Sequence, residues 1–251
     1  MQVARTLPAE LKLLKNSDKL SSKEPKALFK TFVALILVGL CLIAANWQYE
    51  RGINRNAKNA KIEANVQKPV IKLSQVIQLS DLKNSEWRSV EVSGKFNKVH
   101  EVLLRNRYNS EGKYGFQYLT LFETTDTPKK LRFWVDRGWV QAGATALTRP
   151  EIPNTPLGEL RIVGRIRLDS ALPKGSFFAL PASGNLINSW DLRSKVQTEN
   201  FYLDLIDGPG VTPDTPAELP ELSDGPHLAY ALQWLFFAGL TIYGRYLIRK
   251  R

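Results

Sequence analysis

Cysteine is nearly missing from this chain: Cys41 is the only one, and it lies inside an apolar run. That excludes a disulfide-stapled fold, a CxxC copper carrier and a thiol oxidoreductase. Histidine is almost as scarce, with only His100 and His227. No cluster of His, Asp and Glu has metal-ligand spacing. GxSxG, GxGxxG, P-loop and HExxH motifs are all absent. Asp136 and Arg137 are neighbours in sequence, so they cannot form an acid/base pair on one face of a strand. These absences together argue against an enzyme. Basic residues are also missing locally: residues 196–226 contain no Lys or Arg.

Two apolar runs are present, and they set the layout. The first covers residues 27–49, with an uninterrupted stretch TFVALILVGLCLIAAN at 31–46. The second, LAYALQWLFFAGLTIYGRYL, covers 228–247. A helix of either length reaches across about 30 Å of hydrocarbon. The second run is followed by Arg249, Lys250 and Arg251 and preceded by an acidic stretch, so the C-terminus is expected in the cytoplasm. Two spans then put the N-terminus there too, in agreement with Arg5, Lys12, Lys15, Lys19, Lys23, Lys26 and Lys30. A cleaved signal peptide fits poorly, because the polar leader is long and Ile43-Ala44-Ala45 is a poor small-x-small site. The net charge of +11 resides largely in the leader and membrane flanks, where orientation and anionic lipid account for it. Nucleic acid is not expected as a partner.

The expected order is therefore a cytoplasmic basic leader (1–26), a transmembrane helix (27–49) and an extracytoplasmic domain (50–206). An acidic, Pro-rich linker (207–226), a second transmembrane helix (227–248) and a short cytoplasmic tail (249–251) follow. The protein is expected in the cell membrane as a multi-pass protein with both termini inside.

The middle reads as a β-rich α+β domain, an antiparallel sheet or small barrel. Strands are expected around Val90 to Phe96, Val102 to Leu104, Phe116 to Phe122, Leu131 to Asp136, Leu160 to Leu168 and Phe201 to Leu205. Asn109 to Gly112 is turn chemistry. Short helices are expected at 73–82 and 191–196, and residues 51–67 are polar enough to extend the first helix. The linker, with five Pro and three Gly, is expected to be extended and too polar to bury a core. A weak repeat relates VEVSGKF (90–96) to LRIVGRI (160–166), each with Gly fifth.

One group of residues can carry chemistry. His227 begins the second apolar run, and an ionisable group at membrane depth is costly and tends to be functional. At helical period His227, Tyr230 and Trp234 share a face. Antiparallel packing would bring Trp47, Gln48 and Arg51 to the same depth. An imidazole, aromatic rings and a guanidinium suit a flat, apolar, anionic macrocycle such as haem, with His227 as the metal ligand. The alternative is an interfacial His within an ordinary aromatic belt. His100 reads as a surface residue.

Six segments resemble the Surfeit-locus (Surf-one or Shy-one) family of cytochrome c oxidase assembly factors. They are Trp47-Gln48 with Arg51, Val92 to Phe96 with Glu101 to Leu104, Val135-Asp136-Arg137-Gly138-Trp139-Val140, Val163-Gly164 with Arg167, Asn188-Ser189-Trp190-Asp191, and Pro226 to Trp234. There are departures. Asp136 stands where Asn is common, Gln141 where Pro is common, and Gly225-Pro226 where an Asn pair is usual.

The resemblance implies assembly, not catalysis. The implied partners are the catalytic subunit of a haem-copper oxidase, other assembly factors and membrane lipid. The implied cofactor is haem a, a role that maps onto His227 alone. Tyr230, Trp234, Trp47 and Arg51 join it on the packing argument above. Arg137 reads either as a contact for a propionate or partner or as a structural residue paired with an acidic neighbour. A cofactor-free, membrane-anchored interaction module is the alternative. Gly138 and Trp139 are expected to serve structure, with Trp139 plugging the domain core.

Overall fold

A computed structural model describes residues 26–79, 81–145, 148–172, 179–180 and 196–250. In chain order the elements are α1 (Ala27–Gln67), β1 (Ile71–Lys72), α2 (Leu73–Gln78), β2 (Ser89–Tyr108), β3 (Tyr114–Thr124) and β4 (Arg132–Gln141). They continue with β5 (Leu160–Leu168), a single tight helical turn (Asp169–Ala171), β6 (Ala179–Leu180), β7 (Phe201–Asp207) and α3 (His227–Lys250). The chain forms two compact units, one of residues 1–57 with 223–251, the other of residues 58–222.

The helical unit pairs α1 with α3. Arg55 donates from Nε to the Ser223 carbonyl at 2.7 Å, His227 Nδ1 meets Gln48 Oε1 at 3.0 Å, and Arg245 Nε donates to Thr31 Oγ1 at 3.0 Å. These three contacts make the pair antiparallel. The residues buried along it are small: Cys41, Ala45 and Gly52 on α1, Ala231 and Ala238 on α3. Small side chains let helix backbones approach closely where no hydrophobic effect drives association, as in lipid. The large apolar residues point outward instead, among them Leu35, Ile43, Leu232, Phe236 and Ile242, each about half exposed or more.

Among the described residues one helix, α1, is long and apolar enough to cross a membrane. Its most apolar 18 residues have a mean hydropathy of 2.5 and only 6% of them are buried in the protein. The core helix of a water-soluble protein would be mostly buried. At 1.5 Å per residue, 41 residues extend about 60 Å, twice the hydrocarbon thickness. The surplus is the polar stretch 51–67, which continues the helix as its composition suggests. α3 is as long as a span but less apolar, interrupted by Gln233, Thr241 and Arg245.

The second unit is a β-barrel. β2 pairs with β3, β3 with β4, β4 with β7, β7 with β5, and β5 returns to β2. All these pairings are antiparallel except β4–β7. The short strands β1 and β6 add to β2. β2 serves both ends of the ring because it is long and broken by a bulge between Asn97 and Glu101. Bulges of this kind bend a strand and let a small sheet close.

Period-two alternation fills the inside. Val90, Val92, Phe96, Phe122, Phe133, Val135, Ile162, Ile166, Phe201 and Leu203 form one cluster. Four phenylalanines make a chain of ring contacts, Phe96–Phe122 at 4.9 Å, Phe122–Phe133 at 5.7 Å and Phe133–Phe201 at 5.0 Å. Each buried ring contributes about 1.5–3 kcal/mol by area. The opposite face carries a second cluster of Val102, Leu104, Leu119, Leu121, Trp134 and Tyr202. Strands β3, β4 and β7 are therefore buried on both sides.

The weak repeat has a structural counterpart. Residues 90–96 and 160–166 are antiparallel neighbours, with Val90 opposite Gly164 and Gly94 opposite Leu160. Each glycine faces the first residue of the other segment.

The segment after β7 is extended, as its composition suggests, but it does bury apolar surface. Val211 enters the barrel cluster at 4% exposure, behind a turn in which its N–H donates to the Gly208 carbonyl. Thr215 and Glu218 then tie the chain down. The Trp139 N–H donates to the Thr215 carbonyl at 2.9 Å, and the Ser110 N–H donates to Glu218 Oε1 at 3.1 Å. One valine and two hydrogen-bond acceptors suffice to pin a segment rich in Pro. The expected helix at 73–82 is present as α2. The expected helix at 191–196 falls almost wholly outside the described residues, as does Asn188 to Asp191.

Candidate functional site

In the helical unit, Gln48 and His227 meet at the helix interface. With the amide oxygen as acceptor, Nδ1 of the ring is the donor. Nε2 has no hydrogen-bond partner among the described residues. Gly52, one turn further along α1, lets α3 come close: a Cβ there would stand 2.8 Å from Leu228 and 3.5 Å from the His227 Cβ. Trp47 and Arg51 flank Gln48. The Arg51 guanidinium lies over the Trp47 ring at 4.9 Å, a cation–π contact across one helical turn. Trp47 is 51% exposed, Tyr230 46% and Trp234 37%. All three side chains are thus partly exposed, with Arg51 over one face of Trp47, and Trp234 meets Phe237 edge-on at 5.8 Å. Five of the six residues singled out in the sequence thus belong to one unit, and two direct contacts, Trp47–Arg51 and Gln48–His227, are made among them and their neighbour.

Arg137 is placed in the barrel unit and is engaged there. It is 1% exposed, with its guanidinium 5.3 Å from the Phe96 ring and 5.1 Å from the Tyr118 ring. Nη1 donates to Thr155 Oγ1 at 2.6 Å and Nη2 to the Asn154 carbonyl at 3.0 Å. Thr155 in turn donates to Glu101 Oε1 at 2.8 Å. The charge is balanced through a hydroxyl rather than by direct contact. Burial lowers the Arg137 pKa and raises that of Tyr118.

Gly138 adopts φ +107°, and a Cβ there would stand 2.6 Å from the Thr215 carbonyl oxygen. Only glycine combines that backbone with that neighbour. Trp139 differs from the expectation of a core plug. The phenylalanine chain fills the interior, and Trp139 is half-buried at the surface, lying across Gly115. Its Nε1 donates to the Arg107 carbonyl at 3.4 Å. Cavities of about 330 Å³ and 540 Å³ lie beside it, sharing Trp139 and Thr215 in their walls. The first includes Asn106, Arg107, Tyr108 and Gln117. Asn106 has φ +61°, where β2 slips register against β3. The fully buried tryptophan of the barrel is Trp134.

The sequence reading missed an ionic row on the outer barrel face. Asp136, Asp204 and Arg165 are successive cross-strand partners on β4, β7 and β5. Arg167 Nη1 donates to Asp204 Oδ2 at 3.0 Å and stacks on Trp87 with its guanidinium 3.6 Å from the ring centre. Asp136 Oδ1 accepts the Gly138 N–H at 2.9 Å. Burial pushes Asp136 up to about 8, with the Asp204 charge adding to it, and burial also raises Asp204. Isolated charged letters in β-like sequence look solvent-facing, so only the two-sided burial of β4 and β7 reveals them.

An apolar anchoring helix joined to a closed β-barrel domain defines the class: a membrane-anchored barrel protein. The chain belongs to the SURF1 family, whose model matches residues 35–239. Members of that family are cytochrome oxidase assembly factors rather than catalytic enzymes. The chain is similar to uncharacterised SURF1-like proteins of Mycobacterium bovis and of two strains of Mycobacterium tuberculosis. Each is 29% identical over 230 residues, spanning 84% of this chain and 80% of the relative.

Proposed function

We propose that this protein assists cytochrome c oxidase assembly by holding haem a at the His227 end of its helical unit for the nascent catalytic subunit. The observation that carries the reading is the His227–Gln48 contact, which engages Nδ1 and leaves Nε2 without a hydrogen-bond partner among the described residues, on a helix whose Tyr230 and Trp234 are partly exposed. The donor set fits the group: one imidazole nitrogen for iron, one guanidinium for a propionate, and apolar ring faces for the macrocycle. Haem, when bound, would supply an iron that an imidazole nitrogen can ligate. His227 would provide that nitrogen, Tyr230 and Trp234 would flank it, and Arg51, braced on Trp47, would pair with acid groups. Arg137 is left out of this group, because it is buried in the barrel unit with its donors engaged by the Thr155 hydroxyl and the Asn154 carbonyl.

In this reading α3 is a second membrane span, both termini are cytoplasmic and the barrel is extracytoplasmic. The basic residues at the end of α3 and the acidic stretch before it support that orientation. Reporter fusions at Gly112 and Arg251 test it, and a reporter active only in the cytoplasm that works at Gly112 refutes it. His227→Ala tests the haem role. It should keep its membrane level but lose haem per protein and lower the yield of haem-loaded oxidase. Full haem occupancy in that variant ends the ligand role. The second reading, a cofactor-free interaction module, is favoured by the clefts beside Trp139. It gains if oxidase assembly is normal in the His227 variant.

A further inference from the structure

We infer that Gln48 is a positioning residue for His227, fixing its tautomer and ring orientation so that Nε2 is the ligating nitrogen. The inference rests on the haem-binding reading and deepens it. A neutral imidazole has one N–H and one lone pair, and the hydrogen bond made at one nitrogen decides which the other presents. Here Nδ1 lies 3.0 Å from Gln48 Oε1, an atom that only accepts. With the Gln48 amide in this orientation, the neutral ring carries its proton on Nδ1 and its lone pair on Nε2.

The contact is built by the packing around it. Gln48 lies on the same stripe of α1 as Ala45 and Gly52, both buried, and Gly52 admits the Leu228 side chain and the His227 Cβ to close range. A ring oriented by an amide on the neighbouring helix cannot turn without breaking that bond. Such outer partners typically change ligand affinity by about ten- to a hundredfold. Trp47 and Arg51 pair with each other in a cation–π contact, and Gln48 is the hydrogen-bond partner of the ring among the described residues.

The test uses the full chain in detergent and two variants, Gln48→Leu and Gln48→Glu. Leu keeps bulk and removes the acceptor; Glu keeps an acceptor. In haem-free protein, nitrogen NMR of the labelled histidines should show His227 with its proton on Nδ1. Gln48→Leu should shift the population toward the Nε2–H form, and Gln48→Glu should restore it. In protein loaded with haem, Gln48→Leu should weaken haem affinity by about tenfold or more and lower the iron–histidine stretching frequency. Gln48→Glu should raise that frequency above the wild-type value. An unchanged tautomer in Gln48→Leu, or a wild-type ring protonated on Nε2, overturns the inference. Wild-type protein that binds no haem while the NMR result holds overturns the haem reading instead, so the two failures are distinguishable.

Discussion

Asp136 of β4 and Asp204 of β7 are cross-strand partners in the parallel pair, and each is 2% exposed. Asp204 has Arg167 at 3.0 Å, and Asp136 has a backbone N–H. The two carboxylates cannot both be charged at low cost, and Asp136, without an ion-pair partner among the described residues, is the one that keeps a proton.

A pH dependence follows. The folded pKa of Asp136, about 8, lies above its ordinary value of 3.8. The folded state thus holds a proton that the unfolded chain releases. Stability from this group is full below about pH 4 and is lost as pH rises through about 8. The slope should approach 1.4 kcal/mol per pH unit, as an order of magnitude, between those limits. Asp136→Asn keeps the acceptor for Gly138 and should flatten the slope. Urea denaturation of the full chain from pH 5 to pH 9, followed by near-ultraviolet circular dichroism, checks it; equal slopes in the two proteins would falsify the assignment. Asn is common at this place in the family pattern, and a protonated carboxyl is its nearest mimic.

Arg137→Lys should destabilise the barrel by about 3 kcal/mol. A lysine cannot bond Thr155 and Asn154 together, nor lie flat between Phe96 and Tyr118. Haem content per folded protein should be unaffected. A variant of unchanged stability with reduced haem would return Arg137 to the cofactor site.

The two tryptophans of β4 should rank in a definite order. Trp134→Ala removes a fully buried ring and should cost about 4 kcal/mol, whereas Trp139→Ala, at a half-buried site, should cost about 2 kcal/mol. Denaturation midpoints of the two variants compare them. The reverse order would restore Trp139 as the core residue.

Ala45→Leu should separate the helices of the anchoring unit, because overpacking a small-residue contact costs about 1–3 kcal/mol. Cysteines at positions 48 and 227, in a Cys41→Ser background, should cross-link readily. Adding Ala45→Leu should lower the yield, and an undiminished yield would show that this interface is not tightly packed.

Much of the barrel was legible because its interior obeys period two. β5 has the bounds read from LRIVGRIRL, and β7 and β3 start or end within a few residues of expectation. β2 was read as two runs, Val90 to Phe96 and Val102 to Leu104; the residues between them are a bulge inside one 20-residue strand. The outer cluster was not legible. Alternation predicts one wet face, and Trp134, Asp136 and Asp204 fall on a face that other parts of the fold cover. The helix carrying His227 was legible, and a 3.6-residue period puts Tyr230 and Trp234 on its face. Gln48 was placed at the depth of His227 and within the Trp47-Gln48 segment, but its hydrogen bond to the ring depends on an exact antiparallel offset that sequence does not state.

β7 sits between β4 and β5, yet it is made after both. The ring therefore stays open along two strand edges until the final strand is delivered, and those edges are templates for pairing with any extended chain nearby. Closure also joins segments far apart in sequence, which is slow relative to hairpin formation. A chain halted before Phe201 would hold a curved, open sheet with its phenylalanine lining exposed to water. Completion of the fold is tied to completion of the polypeptide.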